Sequence, residues 1–449
     1  MLYNYTMDKI KFTISGLRGV WQEGLNEEVI KKYISSFAVF LQKRNAKKII
    51  VGRDARKTGP IILNIIKDIM SEAGIDVIDI EIVPTPTLIF LIKEIGFDGG
   101  IMISASHNPK EYNGIKFLNK NALYIDQTEV DEITSYEKES YKKISGGNYE
   151  LNNELPEKHI DHILSKVDVS SIQKRNFRAV LDPINSSGYL LGPKLLEKLG
   201  VTPIIINGIA SGDFAHTPEP LKENLSGLEK TVDLFKAHIG FAMDPDADRL
   251  VLCDETGKII FEEYTLSLAI KSVLEKKKGD IVINLSTSNT NEDIANEYGV
   301  KTYRTKVGEA NVVLGIEKYN AIIGGEGGGG VIYKEINEAR DSLCGIALIL
   351  EMLSKTNKTI SQIVDELPKW EFIKTKINFT GDFNQFKEKI KEKFEGEKVN
   401  EEDGLRFDFS DRSWVQIRVS NTEPIIRIFG ESKDKSFLEQ KIEEIKSLI

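Results

Sequence analysis

Three aspartates stand at alternate positions in Asp244-Pro-Asp246-Ala-Asp248-Arg249, and carboxylates that close repel one another at neutral pH unless a cation neutralises them. Oxygen ligands with no histidine or cysteine suit a hard ion, Mg2+ or Ca2+. An EF-hand is one reading, since Glu255 falls at its twelfth position. That loop needs glycine at its sixth position, however, and here the sixth residue is Arg249. The preceding Ile239–Met243 also reads as a buried strand and not a helix, so the EF-hand is rejected. A cation site or a solvated acidic turn remains. Arg249, beside such an ion, suits a phosphoryl oxygen.

Ser106 lies in Ser104-Ala-Ser-His-Asn-Pro109, where Asn108-Pro109 forces a turn. No Gly-x-Ser-x-Gly elbow surrounds it, which argues against an acyl-enzyme hydrolase. A phosphorylated serine would instead bring about two negative charges and a ready metal ligand. Alone, Ser106 reads more readily as a plain turn residue; beside an aspartate triad the phosphoserine reading is favoured. Lys116, in Asn113-Gly114-Ile115-Lys116, is placed to return to the same mouth. It could shuttle protons there if neighbours lower its pKa, or be an ordinary surface lysine. Arg18 stands between glycines in Ser15-Gly16-Leu17-Arg18-Gly19, which would let backbone approach an anion closely. Near the C-terminus, Arg418-Val-Ser420-Asn421-Thr422-Glu-Pro, with Arg427 beyond, reads as a phosphate cradle or a polar hairpin turn.

The elements that must position these groups recur. An apolar strand, a helix, a second strand, a helix and a third strand appear three times. The strands are Lys48–Val51, Ile75–Val83 and Gly99–Ser104, then Phe177–Leu181, Val201–Ile206 and Ile239–Met243, then Asp280–Leu285, Val300–Thr305 and Ala321–Gly325. Segments of helical spacing, such as Ile61–Ala73 and Leu190–Leu199, separate them. Such alternation predicts α/β layers with largely parallel sheets. Each third strand runs into a chemically distinct loop: the serine loop, the aspartate loop and Gly325-Glu-Gly-Gly-Gly-Gly330. Ligands gather outside the carboxyl ends of strands, so the three loops are expected to serve one cleft. After Trp370 the pattern changes to an α+β appendage. Phe372–Phe379, Leu405–Phe409, Trp414–Val419 and Ile425–Gly430 read as antiparallel strands, with helices over Phe383–Phe394 and from about Ser436. The fold class expected is therefore α/β, three related domains with mixed sheets plus a C-terminal α+β domain. The boundaries fall at residues 1–155, 156–256, 257–369 and 370–449.

Bulk properties agree with a multidomain globular chain: 449 residues, 41% hydrophobic, 29% charged. The net charge of -9 argues against a duplex nucleic-acid binder but leaves room for a local basic cleft. Two cysteines, Cys253 and Cys344, form neither a disulfide framework nor a metal set and point to a reducing cytoplasm. The first twelve residues lack an apolar signal core, and the apolar stretch Ile346–Leu353, interrupted by Glu351, is too short to span a bilayer.

Taken together, these motifs resemble the α-D-phosphohexomutases, which include phosphoglucomutase, phosphomannomutase and phosphoglucosamine mutase. The resemblance covers nearly the whole chain and keeps the family's motif order. It implies that Ser106 is a phosphoserine and that Asp244, Asp246 and Asp248 hold Mg2+, with the Ser106 phosphate as a further ligand. Lys116 would be a general acid/base, supported by Arg18, His107 and Arg249. Glu326 would bind sugar hydroxyls, Lys306 would touch substrate, and Arg418, Ser420, Asn421, Thr422 and Arg427 would grip the phosphate that is not transferred. A hexose 1,6-bisphosphate would be intermediate and activator. The chain would act as a monomer or homodimer on a small hexose phosphate, with no nucleic-acid or membrane partner.

One departure is informative. Many relatives carry serine two positions after the glutamate and histidine two after that, where this chain has Gly328 and Gly330. The glycine-rich form, with Arg340-Asp341 following, looks more like phosphoglucosamine mutases, whereas Asn421 is similar to phosphomannomutase/phosphoglucomutase relatives. Glucosamine phosphate is slightly favoured. Rival readings are a Mg2+-dependent sugar-phosphate phosphatase using the same loop and a non-catalytic sugar-phosphate binding protein.

Overall fold

The computed structural model describes residues 10, 12–144, 146–419 and 425–448. Its elements fall into two compact units: residues up to Thr265 together with Gly329–Ser361, and Leu266–Gly328 together with the chain from Gln362 onward.

The first unit holds two sheets. One contains β1 (Leu17–Val20), β2 (Lys48–Arg53), β3 (Asp76–Ile82), β4 (Gly99–Ile103), β5 (Tyr112–Asn119) and β6 (Tyr149–Leu151), in the order β1-β5-β4-β2-β3-β6. The other contains β7 (Arg178–Asp182), β8 (Thr202–Ile205), β9 (Ile239–Met243) and β10 (Leu250–Cys253), in the order β10-β9-β7-β8. In the second unit, β11 (Ile281–Asn284) pairs in parallel with both β12 (Thr302–Thr305) and β13 (Ile323–Glu326). The strand β14 (Gly330–Tyr333) then belongs to the first unit.

The repeat is visible in this topology. In all three copies the first strand lies between the second and the third, all parallel: β3-β2-β4, β8-β7-β9 and β12-β11-β13. Predicted strand limits agree with the observed ones to within two residues. The sequence reading did not anticipate the antiparallel partners β5 and β10, which fold back from the serine and aspartate loops onto β4 and β9. Their residues read as loop chemistry, because Asn113-Gly114 and the run of aspartates obscure the apolar alternation that follows. Strands β4 and β9 are buried at every position, as continuous apolar strands covered on both faces should be. The helices Glu27–Lys43 and Gly59–Glu72 pack one face of the first sheet through Phe37, Phe40 and Ile66; the helix Thr85–Ile95 packs the other through Leu88 and Ile92.

In the C-terminal part, β15 (Glu371–Asn378), β16 (Lys398–Asn400), β17 (Leu405–Asp408), β18 (Trp414–Val419) and β19 (Ile425–Ser432) form an antiparallel sheet in the order β15-β19-β18-β17-β16. The helices Phe383–Lys393 and Lys435–Lys446 share a core with it through Phe386, Ile390, Leu438 and Ile442. Three related α/β domains with a C-terminal α+β domain are therefore what the chain forms. Among the described residues no helix is long and apolar enough to cross a membrane, and both cysteines are buried and joined by no disulfide.

Candidate active site

Ser106 follows β4 with φ +49°, a left-handed backbone conformation that non-glycine residues adopt only when their surroundings impose it. Here they do. The Ser106 N–H donates to Ser104 Oγ at 2.9 Å, and Ser104 Oγ donates to Asp54 Oδ2 at 2.7 Å. The fully buried Arg56 guanidinium donates to the carbonyls of Ser106, Asn108 and Pro109 at 2.7, 2.8 and 2.7 Å, and its Nε to Asp54 Oδ2 at 3.0 Å. Burial pushes the Asp54 carboxyl upward, against the opposing charge of Arg56. So restrained, the Ser106 hydroxyl lies 3.2 Å from His107 Nδ1 and donates to Asp244 Oδ2 at 3.2 Å. The serine and aspartate loops, 138 residues apart, thus meet.

The three aspartates are buried, and one carboxylate oxygen from each lies within 4.8 Å of the others. Each has one oxygen tied down. Asp244 Oδ1 accepts from the N–H groups of Asp248 and Arg249 at 3.0 and 3.1 Å. Asp246 Oδ2 accepts from Thr85 Oγ1 at 2.7 Å and Lys116 Nζ at 2.6 Å, and Asp248 Oδ2 from Arg340 Nη2 at 2.5 Å. The opposite oxygens, Asp246 Oδ1 and Asp248 Oδ1, are buried with no hydrogen-bond partner among the described residues. Orphaned buried acceptors on converging carboxylates are what a hard divalent cation requires, so the donor set fits Mg2+. Burial, with the charges of Asp248 and Asp246, raises the Asp244 carboxyl well above its ordinary range. Burial acts the same way on Asp246, but Lys116 outweighs it and holds that carboxyl low.

The strand β5 explains how Lys116 and Arg18 arrive here. It runs antiparallel to β4, with Lys116 opposite Met102, and β1 pairs on its other edge with Arg18 opposite Gly114. Positions 114 and 116 point to one face, so Arg18 and Lys116 share it. Burial disfavours the Lys116 charge, but Asp246, Tyr124 and Asp248 overcome this and hold its proton on, so the neighbours do not lower its pKa as the sequence reading required. Arg18 Nη1 donates to Asn108 Oδ1 at 3.0 Å, and burial lowers its pKa against the pull of Asp246 and Asp248. The glycine before Arg18 also differs from expectation. Gly16, at φ +78°, packs against its own sheet, because a Cβ there would stand 1.9 Å from the Ile115 carbonyl oxygen. Arg249 approaches Glu219 at 3.6 Å. Its charge, then burial and Arg18, drive the His107 pKa down to about 2, which keeps that imidazole neutral.

In the second unit, the buried Glu326 at the end of β13 accepts from Asn284 Nδ2 at 2.8 Å and the Gly308 N–H at 2.7 Å. Lys306 is exposed two residues before Gly308. Arg418 on β18 donates from Nε to Asp403 Oδ1 at 2.9 Å and is directly opposite Arg427 on β19, which in turn is opposite Lys376 on β15. Directly opposed residues share a face, so three cations form a row across the sheet. Ser420, Asn421 and Thr422 lie outside the described residues.

Arg56 and Thr85 were not singled out from the sequence, and Arg340 was quoted there only within Arg340-Asp341, as part of the resemblance and with no role of its own. The first was open to detection, because Asp54-Ala-Arg56 directly follows an apolar strand, where ligand loops belong. Thr85 and Arg340 are 161 and 92 residues from the aspartates they touch, and no local pattern marks those contacts.

The four phosphoglucomutase/phosphomannomutase domain models match in order: the alpha/beta/alpha domains I, II and III over residues 9–143, 157–257 and 262–370, and the C-terminal domain over 376–447. The chain belongs to the phosphoglucomutase/phosphomannomutase family of phosphosugar mutases. It is 36% identical to a phosphoglucomutase/phosphomannomutase of Thermococcus kodakarensis, covering 96% of each chain. It is 32% identical to a phosphoglucosamine/phosphogalactosamine mutase of Sulfurisphaera tokodaii, covering 98% of each. A crystal structure of a phosphoglucomutase/phosphomannomutase family protein from Burkholderia thailandensis superposes with a TM-score of 0.86 at 25% identity, over 97% of this chain and 96% of that one.

Proposed function

We propose that this chain interconverts a hexose 6-phosphate and the corresponding hexose 1-phosphate, with Ser106 carrying the phosphoryl group between them. The observation that carries this reading is the Ser106 hydroxyl, 3.2 Å from Asp244 on a turn held in a left-handed conformation. Phosphorylated Ser106 gives its phosphoryl group to the free sugar hydroxyl: the bond from phosphorus to serine oxygen breaks and one to the sugar oxygen forms. The bisphosphate so made turns over, and Ser106 takes back the other phosphoryl group. Lys116, protonated against Asp246, is placed to give a proton to the oxygen leaving phosphorus and, once so deprotonated, to take the one released by the attacking hydroxyl. Arg18, His107 and Arg249 hold the transferring oxygens. A Mg2+ held by Asp244, Asp246 and Asp248 would neutralise charge on the phosphoryl group. A hexose 1,6-bisphosphate primes unphosphorylated enzyme.

Residues 1–155 supply the serine, 156–256 the cation site, 257–369 sugar recognition through Glu326 and Lys306, and 370–449 the phosphate grip through Arg418, Ser420, Asn421, Thr422 and Arg427. Buried cysteines joined by no disulfide suit the cytoplasm. Glucosamine phosphate is the sugar we assign first, because Gly328 and Gly330 offer neither hydroxyl nor imidazole near Glu326 in the chain; glucose and mannose phosphates come second.

A coupled assay with a hexose 1,6-bisphosphate present tests both levels. The highest kcat/KM is expected on glucosamine 6-phosphate, and equal or better turnover of glucose or mannose 6-phosphate overturns that assignment. Ser106→Ala is expected to abolish isomerisation. Near-parental turnover in that variant, or release of inorganic phosphate without isomerisation by the parent, overturns the mutase reading.

A further inference from the structure

The run of glycines after Glu326 has two separate physical reasons at its end. Gly329 has φ +90°, its carbonyl accepts from the Leu250 N–H at 3.1 Å, and a Cβ would stand 2.2 Å from the Leu250 carbonyl oxygen. It therefore seats β14 against the strand that leaves the aspartate loop. Gly330 is different. A Cβ there would come within 2.5 Å of Arg340 Cδ and 3.0 Å of Arg340 Cγ. The space where a side chain would begin is occupied by the stem of Arg340.

The backbone around Arg340 is fixed beyond it. The Asp341 N–H donates to the Val331 carbonyl at 2.8 Å, and the Ser342 N–H to the carbonyl of Ala247, inside the aspartate loop, at 3.2 Å. Asp341 also caps the helix Ser342–Ser354, accepting from the N–H groups of Leu343 and Cys344 at 3.0 and 3.1 Å. From this platform Arg340 Nη2 reaches Asp248 Oδ2 at 2.5 Å, while Oδ1 of that carboxylate is buried without a hydrogen-bond partner among the described residues. A carboxylate bound through one oxygen cannot rotate freely, so the other is aimed.

We propose that Arg340 is a positioning residue for the cation site, that by holding Asp248 Oδ2 it presents Oδ1 to the ion, and that Gly330 is glycine so that Arg340 can reach it. The proposal rests on the reading of the aspartates as a divalent-cation site. Its physics has two signs. An arginine that orients a ligand strengthens metal binding, typically by about 10- to 100-fold. One that merely occupies the carboxylate and repels the ion weakens it.

Mn2+ binding to the full-length chain, followed by the electron paramagnetic resonance of free and bound Mn2+, separates them. Arg340→Ala is expected to weaken Mn2+ binding about tenfold and to change the bound spectrum. Gly330→Ala, which leaves every charged group in the chain but displaces the Arg340 stem, is expected to weaken it comparably. The double variant should bind no more weakly than Arg340→Ala alone, because the added methyl then has no stem to displace. Unchanged or tighter binding in Arg340→Ala, or losses that multiply in the double variant, overturns the proposal. Should Arg340→Ala fail to fold, Gly330→Ala decides alone, and parental affinity there overturns it. A parent chain that binds no Mn2+ overturns the cation reading and this inference with it; a parent that binds while the variants match it overturns this inference only.

Discussion

The Arg56 guanidinium donates a 2.7 Å hydrogen bond to the main-chain carbonyl of Ser106, so a buried charge holds the backbone of the residue expected to be phosphorylated. Arg56→Met would keep much of the stem but leave the carbonyls of Ser106, Asn108 and Pro109 without this donor and Asp54 without its cation. A loss of about 3 kcal/mol in stability is expected. Turnover at 25 °C, well below the lowered Tm, should fall further than the folded fraction does, because the left-handed turn at Ser106 loses its clamp. Parental turnover in a folded variant would count against the clamp.

Mutual repulsion in the aspartate triad should be visible in the metal-free protein. Asp244→Asn keeps an acceptor for the N–H groups of Asp248 and Arg249 and removes a carboxyl whose ionisation burial and the other two aspartates oppose. Its Tm in chelator is expected to equal or exceed the parent's. The parent should gain about 2.7 kcal/mol at Mg2+ a hundredfold above Kd, and the variant should gain little. Scanning calorimetry with and without Mg2+ checks both; an equal Mg2+ shift would remove Asp244 from the ligand set.

A pH effect is expected from Glu431 on β19. It accepts from Ser288 Oγ, the Asn289 N–H and Trp414 Nε1, yet burial dominates and raises its pKa from 4.5 to about 7. Between those values the native carboxyl keeps a proton that the unfolded chain has released. Stability of the second unit should therefore fall as pH rises from 4.5 to about 7, by about 3 kcal/mol, and stay level above. In Glu431→Gln the amide replaces the protonated acid, and this share of the decline should disappear. Urea midpoints followed by tryptophan fluorescence at pH 5 and pH 8 give the comparison. An unchanged slope in the variant would sink it.

The row Lys376, Arg427 and Arg418 suggests a phosphate contact beyond the expected loop. Lys376→Ala should raise KM severalfold at low salt with kcat largely kept, and the difference should shrink in about 0.5 M salt, as exposed charges are screened. A KM equal to the parent's at low salt excludes Lys376 from the grip.

Much of the α/β framework could be read from periodicity, because β4 and β9 are uninterrupted apolar strands whose burial follows from composition. The aspartate triad was legible because three like charges at that spacing ask for an explanation. Lys116 was legible as a position but not as an environment: Asp246, 130 residues away, decides its charge. Arg340 was legible as part of Arg340-Asp341 but not as the partner of Asp248, since a single arginine acquires its role only from what folding brings beside it. Gly16 misled in the other direction; its demand comes from a neighbouring strand and not from a ligand.

Neither compact unit is a continuous stretch of chain, since Gly329–Ser361 completes the first after residues 266–328 have entered the second. During synthesis the ribosome therefore delivers Asp248 long before Arg340, the partner of its Oδ2 oxygen. A nascent chain stalled before residue 329 would expose an acidic loop missing one of its cations, and only release of the segment through Ser361 lets the first unit close. Truncations meant to isolate either unit would need to be excisions with a linker across the gap, not simple shortening from one end.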